Sequence, residues 1–187
     1  PYHSGGSEPA LAQALAARHD RSEFLLADKL SPNGFERRED IRPLIEDQLR
    51  ACGVDYFDFY LMHSQGMGNY EKYQREGAYE EAFAARDAGL VRHVGFSFHS
   101  NAAFLDKILT DHPDVEFVQL QVNYLDWEDP HNEAKKLMEV AEKHGKPVII
   151  MEPARGGRLC DLPEAAAHIL EEANPGSTQA EWAYRFC

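Results

Sequence analysis

Short apolar segments alternate with segments of helical periodicity along almost the whole chain, and this alternation restricts the fold more than any other feature. Five apolar segments have the length and the aromatic or β-branched content of strands. They are Glu23–Lys29, Tyr56–His63, His93–Phe98, Glu116–Asn123 and Pro147–Met151. Because each is apolar throughout, it suits a strand that is covered on both faces. The order predicts repeated βα units around a parallel sheet.

The intervening segments carry apolar stripes at helical spacing. They run over Ile41–Cys52, Ala78–Ala85, Phe104–Leu109 and Ala134–Ala141, and the first is followed by Gly53 as a C-cap. Pro43 is compatible with the first of these helices only if the helix begins close to Asp40. Ser7 and Ser177 are candidate N-caps of an opening and a closing helix.

Two architectures contain such units, a closed (β/α)8 barrel and a doubly wound open sheet. The open sheet predicts a glycine-rich turn after an early strand, and neither GxGxxG nor GxxxxGK[ST] occurs in the sequence. A barrel usually needs about 250 residues, whereas this chain has 187. The sequence therefore predicts an incomplete TIM barrel as a single domain.

Composition excludes several functional classes. The 19 basic and 32 acidic residues give a formal charge of −13, and no basic cluster suited to nucleic acid interrupts them. No apolar run is long enough to span a bilayer, and the first residues do not form a signal peptide. Cys52, Cys160 and Cys187 have neither disulfide-framework nor zinc spacing. We expect a cytoplasmic protein with reduced thiols and no metal site.

Functional groups of a parallel α/β barrel lie where its strands end. Lys29 ends the first apolar segment, His63 ends the second, and Tyr2 lies where a preceding strand would end. A tyrosine hydroxyl can protonate a developing alkoxide if an ammonium lowers its pKa, and an imidazole can polarise the substrate carbonyl. These three residues suit carbonyl reduction with a hydride from a nicotinamide.

Four longer segments occur in an order that resembles the aldo-keto reductase family. They are DYFDFYLMH (Asp55–His63), GLVRHVGFSFH (Gly89–His99), FVQLQVNY (Phe117–Tyr124) and IIMEPARGG (Ile149–Gly157). Each is weak or moderate alone, but with Tyr2 and Lys29 before them the ordered series runs from Tyr2 to Gly157 and spans most of the chain. The variants FSFH and MEPARGG resemble a bacterial branch whose members often carry a C-terminal iron-sulfur segment, and no such cysteine cluster is present in this sequence.

The resemblance implies a role for each matching position. Tyr2 would be the proton donor, Lys29 the residue that perturbs it, and His63 the group that orients the substrate. Ser97 and Gln119 would contact the nicotinamide carboxamide. The strand and loop with Met151, Pro153, Arg155, Gly156 and Gly157 would stack on the nicotinamide and approach the pyrophosphate. The implied cofactor is NADP(H), with NAD(H) as the alternative, and the implied substrate is a small carbonyl compound.

The chain departs from the family pattern in two ways. Met151 stands where many members place an aromatic ring, and Phe98 stands where an asparagine is common. By the same alignment, an aspartate that pairs with the lysine would precede Pro1, and the first two strands and the eighth would lie outside the chain. We therefore expect this chain alone to be inactive. A cofactor-binding sensor without turnover is the second hypothesis.

Asp58 lies within a predicted strand and could be taken for a catalytic carboxylate. Its position in the middle of the strand favours a buried structural hydrogen bond instead.

Overall fold

A single parallel sheet organises the computed structural model, which describes residues 5–187. Its five strands lie in sequence order and all neighbouring pairs are parallel. The strands are β1 (Ala27–Leu30), β2 (Phe57–Gln65), β3 (Val91–Phe98), β4 (Phe117–Gln121) and β5 (Val148–Met151). Each of the five predicted apolar segments overlaps one strand, so the parallel α/β prediction is confirmed.

Helical segments separate the strands. They are α1 (Ser7–Leu11, continued by a π turn over Ala12–Ala16), α2 (Arg38–Cys52), α3 (Tyr70–Arg75), α4 (Ala78–Asp87), α5 (Ala102–Asp111), α6 (Ala134–Lys143), α7 (Glu164–Ala173) and α8 (Gln179–Phe186), with 3₁₀ turns at Arg21–Glu23 and Arg158–Cys160. None of the helices within residues 5–187 has the length and apolarity needed to cross a membrane.

Helix α2 shows how local sequence sets the element boundaries. Asp40 accepts the backbone N–H groups of Glu36 and Arg37 at 3.0 and 2.9 Å, which satisfies donors at the helix start. Gly53 ends the helix with a φ of 68°, a conformation that favours glycine. Pro43 lies inside the helix. The helix begins two residues before Asp40, so the proline falls in its second turn.

Several sequence predictions at element ends were wrong. Ser7 does not cap α1, because the helix begins at Ser7 and Gly6 is its N-cap. Ser177 does not cap α8, because the Thr178 hydroxyl accepts the N–H of Glu181 at 3.1 Å. The segments Tyr70–Arg75 and Glu164–Ala173 were not predicted as helices. The first helix is short and the second has no buried residue, so neither has a strong apolar stripe.

The core lies between one face of the sheet and the helices. Strand residues such as Tyr60, Met62 and Phe96 pack in one cluster with helix residues such as Ile45 and Leu105. Because side chains alternate along a strand, the residues between these core positions point to the opposite face. The opposite face is where the candidate functional residues lie.

Gly95 is required at the middle of that opposite face. A Cβ atom at this position would lie 2.6 Å from the Phe117 ring and 2.6 Å from the Phe117 carbonyl oxygen. We expect Gly95→Ala to lower the free energy of unfolding by about 2 kcal/mol, because a backbone oxygen cannot move aside as a side chain can. Gly68→Ala is the matched control, since its Cβ would meet no heavy atom within 4 Å. Equal denaturant midpoints for the two variants would contradict this prediction.

Candidate active site

The pairing register places the candidate residues on one face of the sheet. Lys29 is level with Leu61, Leu61 with Gly95, and Ser97 with Gln119. Gln121 is level with Met151. Level partners share a face, as do residues two positions apart on one strand, so Lys29, Ser97, Gln119 and Met151 face the same side. His63, two residues after Leu61, belongs to the same set.

Strand β2 continues past His63, and its end is irregular. The register between β2 and β3 shifts between Met62 and Gln65, and Ser64 has a φ of 56°, which is unusual for a residue other than glycine. The Ser97 hydroxyl oxygen accepts the N–H of Ser64 at 2.8 Å. Ser97 is fully buried. In this structure Ser97 therefore holds the bulge that directly follows His63.

Lys29 reaches across the face from β1 to β4. Its ammonium donates to the side-chain oxygen of Gln119 at 2.7 Å. Burial lowers the pKa of the Lys29 ammonium, and the neighbouring Asp28 carboxylate opposes that shift. The Lys29 carbonyl in turn accepts the Gln48 amide at 3.0 Å. One proposed catalytic residue and one proposed cofactor residue are thus in direct contact.

His63 is a neutral imidazole near pH 7. Partial burial, followed by the positive charge of Lys29, lowers its pKa to about 4. Its Nδ1 atom lies 2.7 Å from the Ser31 hydroxyl. A neutral imidazole carries one ring proton, and its location on Nδ1 or Nε2 decides which nitrogen can donate to a substrate.

The loop after β5 holds the remaining candidate residues. Pro153 is partly buried, and Gly156 and Gly157 are exposed with φ values of 62° and 89°. The Arg155 guanidinium lies 3.3 Å from a carboxylate oxygen of Asp126, which is fully buried. This contact joins the loop after β5 to the segment after β4.

Asp126 is the centre of a polar cluster. Its carboxylate accepts the side-chain amides of Gln121, Asn123 and Asn132 at 2.8, 2.6 and 3.0 Å. Asn123 also donates to the carbonyl of Glu152 at 3.1 Å, so the cluster fixes both loops at the strand ends. Several partners satisfy one buried carboxylate, which is the condition under which its burial is tolerated.

Two other sequence predictions can be placed, and a third cannot. Asp58 is 2% exposed and accepts the Leu26 N–H at 2.9 Å, which confirms the structural interpretation. Phe98 packs in the core between the sheet and the helices, so its ring does not lie on the sheet face that carries the candidate residues. Tyr2 lies outside the described residues.

Sequence reasoning missed the groups that hold the strand ends in place. The Tyr60 hydroxyl donates to Gln48 at 2.6 Å, and the Tyr73 hydroxyl donates to the Leu30 carbonyl at 2.6 Å. Burial raises the pKa of both phenols, so they remain donors at neutral pH. Ser31 and Asp126 were missed as well. The available signal for Ser31 was its place two residues after the predicted segment that ends at Lys29, since rim residues occur just after strands.

Comparison with known proteins identifies the family. The sequence profile described as "Aldo/keto reductase family" matches residues 1–183. A curated aldo-keto reductase of Mycobacterium avium is 26% identical over 185 residues, covering 96% of this chain and 60% of the relative. One of Mycolicibacterium paratuberculosis is 28% identical over 177 residues, covering 92% of this chain and 58% of the relative. The chain belongs to the aldo/keto reductase family.

Solved structures agree on the fold. The holo form of a Bacillus halodurans aldo-keto reductase has a TM-score of 0.72 at 22% identity, covering all of this chain and 65% of its own. A Klebsiella pneumoniae aldo/keto reductase in complex with NADP and acetate has a TM-score of 0.69 at 23% identity. The match covers 96% of this chain and 60% of the Klebsiella chain. The chain therefore spans about 60% of the length of the curated relatives it matches.

Proposed function

We propose that the full-length protein reduces an aldehyde or ketone to an alcohol with a hydride from NADP(H). The contact between Lys29 and Gln119 is the observation that carries this proposal. It joins a residue suited to activating a proton donor with a residue suited to holding a nicotinamide, on the face that also carries His63. The NADP complex of the Klebsiella pneumoniae relative supports the choice of cofactor.

The residues present fit a nicotinamide dinucleotide in most respects. The Gln119 oxygen accepts from Lys29, which leaves its N–H groups to donate to a carboxamide oxygen. Arg155 supplies a cation, while Gly156 and Gly157 allow a phosphate to approach the backbone closely. Met151 would give a thioether contact to the ring. Ser97 fits least well, because it is buried and already accepts the Ser64 N–H.

In the proposed mechanism His63 and Tyr2 act on the carbonyl oxygen, and Lys29 acts through Tyr2. His63 is neutral and donates a ring N–H to that oxygen, which polarises the C=O bond. The Lys29 ammonium lowers the pKa of the Tyr2 phenol, and Tyr2 then donates its proton to the developing alkoxide. The bound nicotinamide supplies the hydride. One hydride and one proton together convert the carbonyl to the alcohol.

Turnover by the full-length protein tests this proposal. We expect NADPH oxidation, followed at the nicotinamide absorbance, in the presence of some members of a panel of aliphatic and aromatic aldehydes and ketones. Parallel reactions with NADH measure the cofactor preference. Absence of oxidation with every carbonyl compound, in a protein that binds NADPH, would contradict the proposal.

That last result would support the second candidate, a cofactor-binding sensor without turnover. Two observations favour it. Phe98 packs in the core at the position where an amide is common, and Met151 offers no aromatic ring. Fluorescence titration with NADPH separates the candidates, because a sensor predicts saturable binding without chemistry.

We further propose that the full-length protein completes a (β/α)8 barrel and that this 187-residue chain alone is inactive. We also propose that the protein acts in the cytoplasm. All three cysteines are free thiols, with Cys52 buried and Cys160 and Cys187 exposed, which suits a reducing compartment. The family resemblance would allow an iron-sulfur cluster only in a C-terminal region outside this chain, and among residues 5–187 no three metal-binding side chains converge. Assaying the isolated chain beside the full-length protein tests the predicted inactivity.

A further inference from the structure

Ser31 contacts a candidate catalytic group from outside the set of residues that the family resemblance assigned. Its hydroxyl oxygen lies 2.7 Å from Nδ1 of His63. Ser31 directly follows β1, and His63 lies near the end of the neighbouring strand β2. The contact therefore joins the ends of two adjacent strands on the edge where Lys29 also lies.

The backbone around Ser31 is held in a defined turn. The Gly34 N–H donates to the Ser31 carbonyl at 2.9 Å, and Pro32 restricts φ at the second position of that turn. The Lys72 ammonium donates to the Pro32 and Phe35 carbonyls at 2.8 and 2.6 Å. Helix α3 thus fixes the turn that presents the Ser31 hydroxyl.

Tyr73 fixes the spacing between the two strand ends. Its hydroxyl lies 2.6 Å from the carbonyl of Leu30, the residue before Ser31, and 3.2 Å from the carbonyl of His63. Tyr73 is fully buried. One phenol on α3 therefore holds the backbone on both sides of the contact between Ser31 and His63.

We propose that Ser31 is a positioning residue that selects the tautomer of His63. Its hydroxyl donates to Nδ1, so the ring proton lies on Nε2, which donates to the substrate carbonyl oxygen. A ring with its proton on Nδ1 would donate to Ser31 and present a bare lone pair at Nε2, which cannot polarise a carbonyl. The choice of tautomer and its role in catalysis both rest on the proposed reductase function, whereas the contact between Ser31 and His63 does not.

The tautomer can be measured without any turnover. Long-range ¹H–¹⁵N correlation spectra of the full-length protein with ¹⁵N-labelled histidine report which ring nitrogen carries the proton. His63→Gln identifies the signals of His63 by their loss. At pH 7 we expect a neutral ring protonated on Nε2 in the wild type. A ring protonated on Nδ1 in the wild type would overturn the inference.

Three serine variants separate the hydroxyl from general effects on stability. Ser31→Ala is expected to give a mixture of the two tautomers, and Ser31→Thr, which retains the hydroxyl, to restore the Nε2 form. Ser22→Ala, at an exposed site in the 3₁₀ turn before β1, is the matched control and should leave the spectrum unchanged. An unchanged His63 tautomer in Ser31→Ala would also overturn the inference.

Kinetics then connect the tautomer to the proposed reaction. We expect Ser31→Ala to lower kcat by about tenfold with a small change in KM, since acid–base groups contribute roughly 10² to 10⁴ in rate and part of the Nε2 form persists. Ser31→Thr should recover most of the loss. Unchanged kcat in a variant with a mixed tautomer would overturn the positioning role. If only the proposed function is wrong, the wild-type protein will show no turnover, but its His63 ring will still be protonated on Nε2.

Discussion

Replacing Lys29 by methionine is expected to lower kcat of the full-length protein by about two to four orders of magnitude, the usual contribution of acid–base catalysis. Methionine keeps the length of the side chain but removes the ammonium that would lower the pKa of the Tyr2 phenol. It also removes the donor to Gln119, whose oxygen lies 2.7 Å from the ammonium. KM for the cofactor should therefore rise as well. Steady-state rates at varied NADPH and carbonyl concentrations measure both effects.

The loss should be chemical and not structural. Burial lowers the pKa of the Lys29 ammonium, so the charge is held at some cost and its removal should leave the thermal midpoint nearly unchanged. Lys135→Met, at an exposed position on α6, is the control and should retain full turnover. Tyr2→Phe should lose at least as much activity as Lys29→Met. A Lys29→Met protein with wild-type kcat would refute the role of Lys29 in lowering the pKa of the Tyr2 phenol.

Asp58→Asn is expected to lower the free energy of unfolding by about 3 kcal/mol. The Asp58 carboxylate lies 2.5 Å from Arg21 and 3.0 Å from Arg92, and it also accepts the Leu26 N–H. Removing one member of a buried ion pair costs about 3–5 kcal/mol, and the low end applies because both guanidiniums remain partly in water. Urea unfolding at pH 7 measures the difference. Glu46→Gln, in the exposed pair with Arg42, is the control and should cost less than about 0.5 kcal/mol.

The ion pairs of Asp58 with Arg21 and Arg92 also predict a pH dependence of the free energy of unfolding. Burial would raise the pKa of Asp58, but the hydrogen bonds from Leu26 and Arg21 outweigh it and hold the pKa below the ordinary value of 3.8. The unfolded chain therefore takes up the proton first as pH falls. The difference in stability between wild type and Asp58→Asn should be complete at pH 7 and shrink below about pH 4. A difference that does not depend on pH would show that the charge is not responsible.

The sequence predicted the strands well because they are short apolar segments between amphipathic helices. It was less accurate about where they end. Strand β1 ends at Leu30, one residue after Lys29, and β2 continues to Gln65, two residues after His63. A bulge after His63 permits that continuation, and its Ser64 N–H is held by Ser97. Bulges depend on pairing with a neighbouring strand, so a single segment does not reveal them.

The candidate site also contains some residues that the sequence predicted and others that only the structure revealed. Lys29, His63 and Gln119 could be named from their places in ordered segments, because strand alternation alone puts polar groups on one face. Ser31 and Asp126 could not be named so. Each makes contacts that depend on tertiary folding. The contact between Ser31 and His63, for example, joins residues that are 32 positions apart in the sequence.

For Lys29 itself, the sequence by itself determined that a basic residue lies at the end of a buried parallel strand, because residue type and apolar pattern are local properties. Only the tertiary structure decided what that residue does there. It brought Gln119, 90 residues away, to the ammonium and partly buried that ammonium, which changes how strongly the neighbouring Asp28 carboxylate acts on it. The strength of an ionic or polar contact depends on distance and on how much water is excluded, and both are set by how the strands pair and the helices pack.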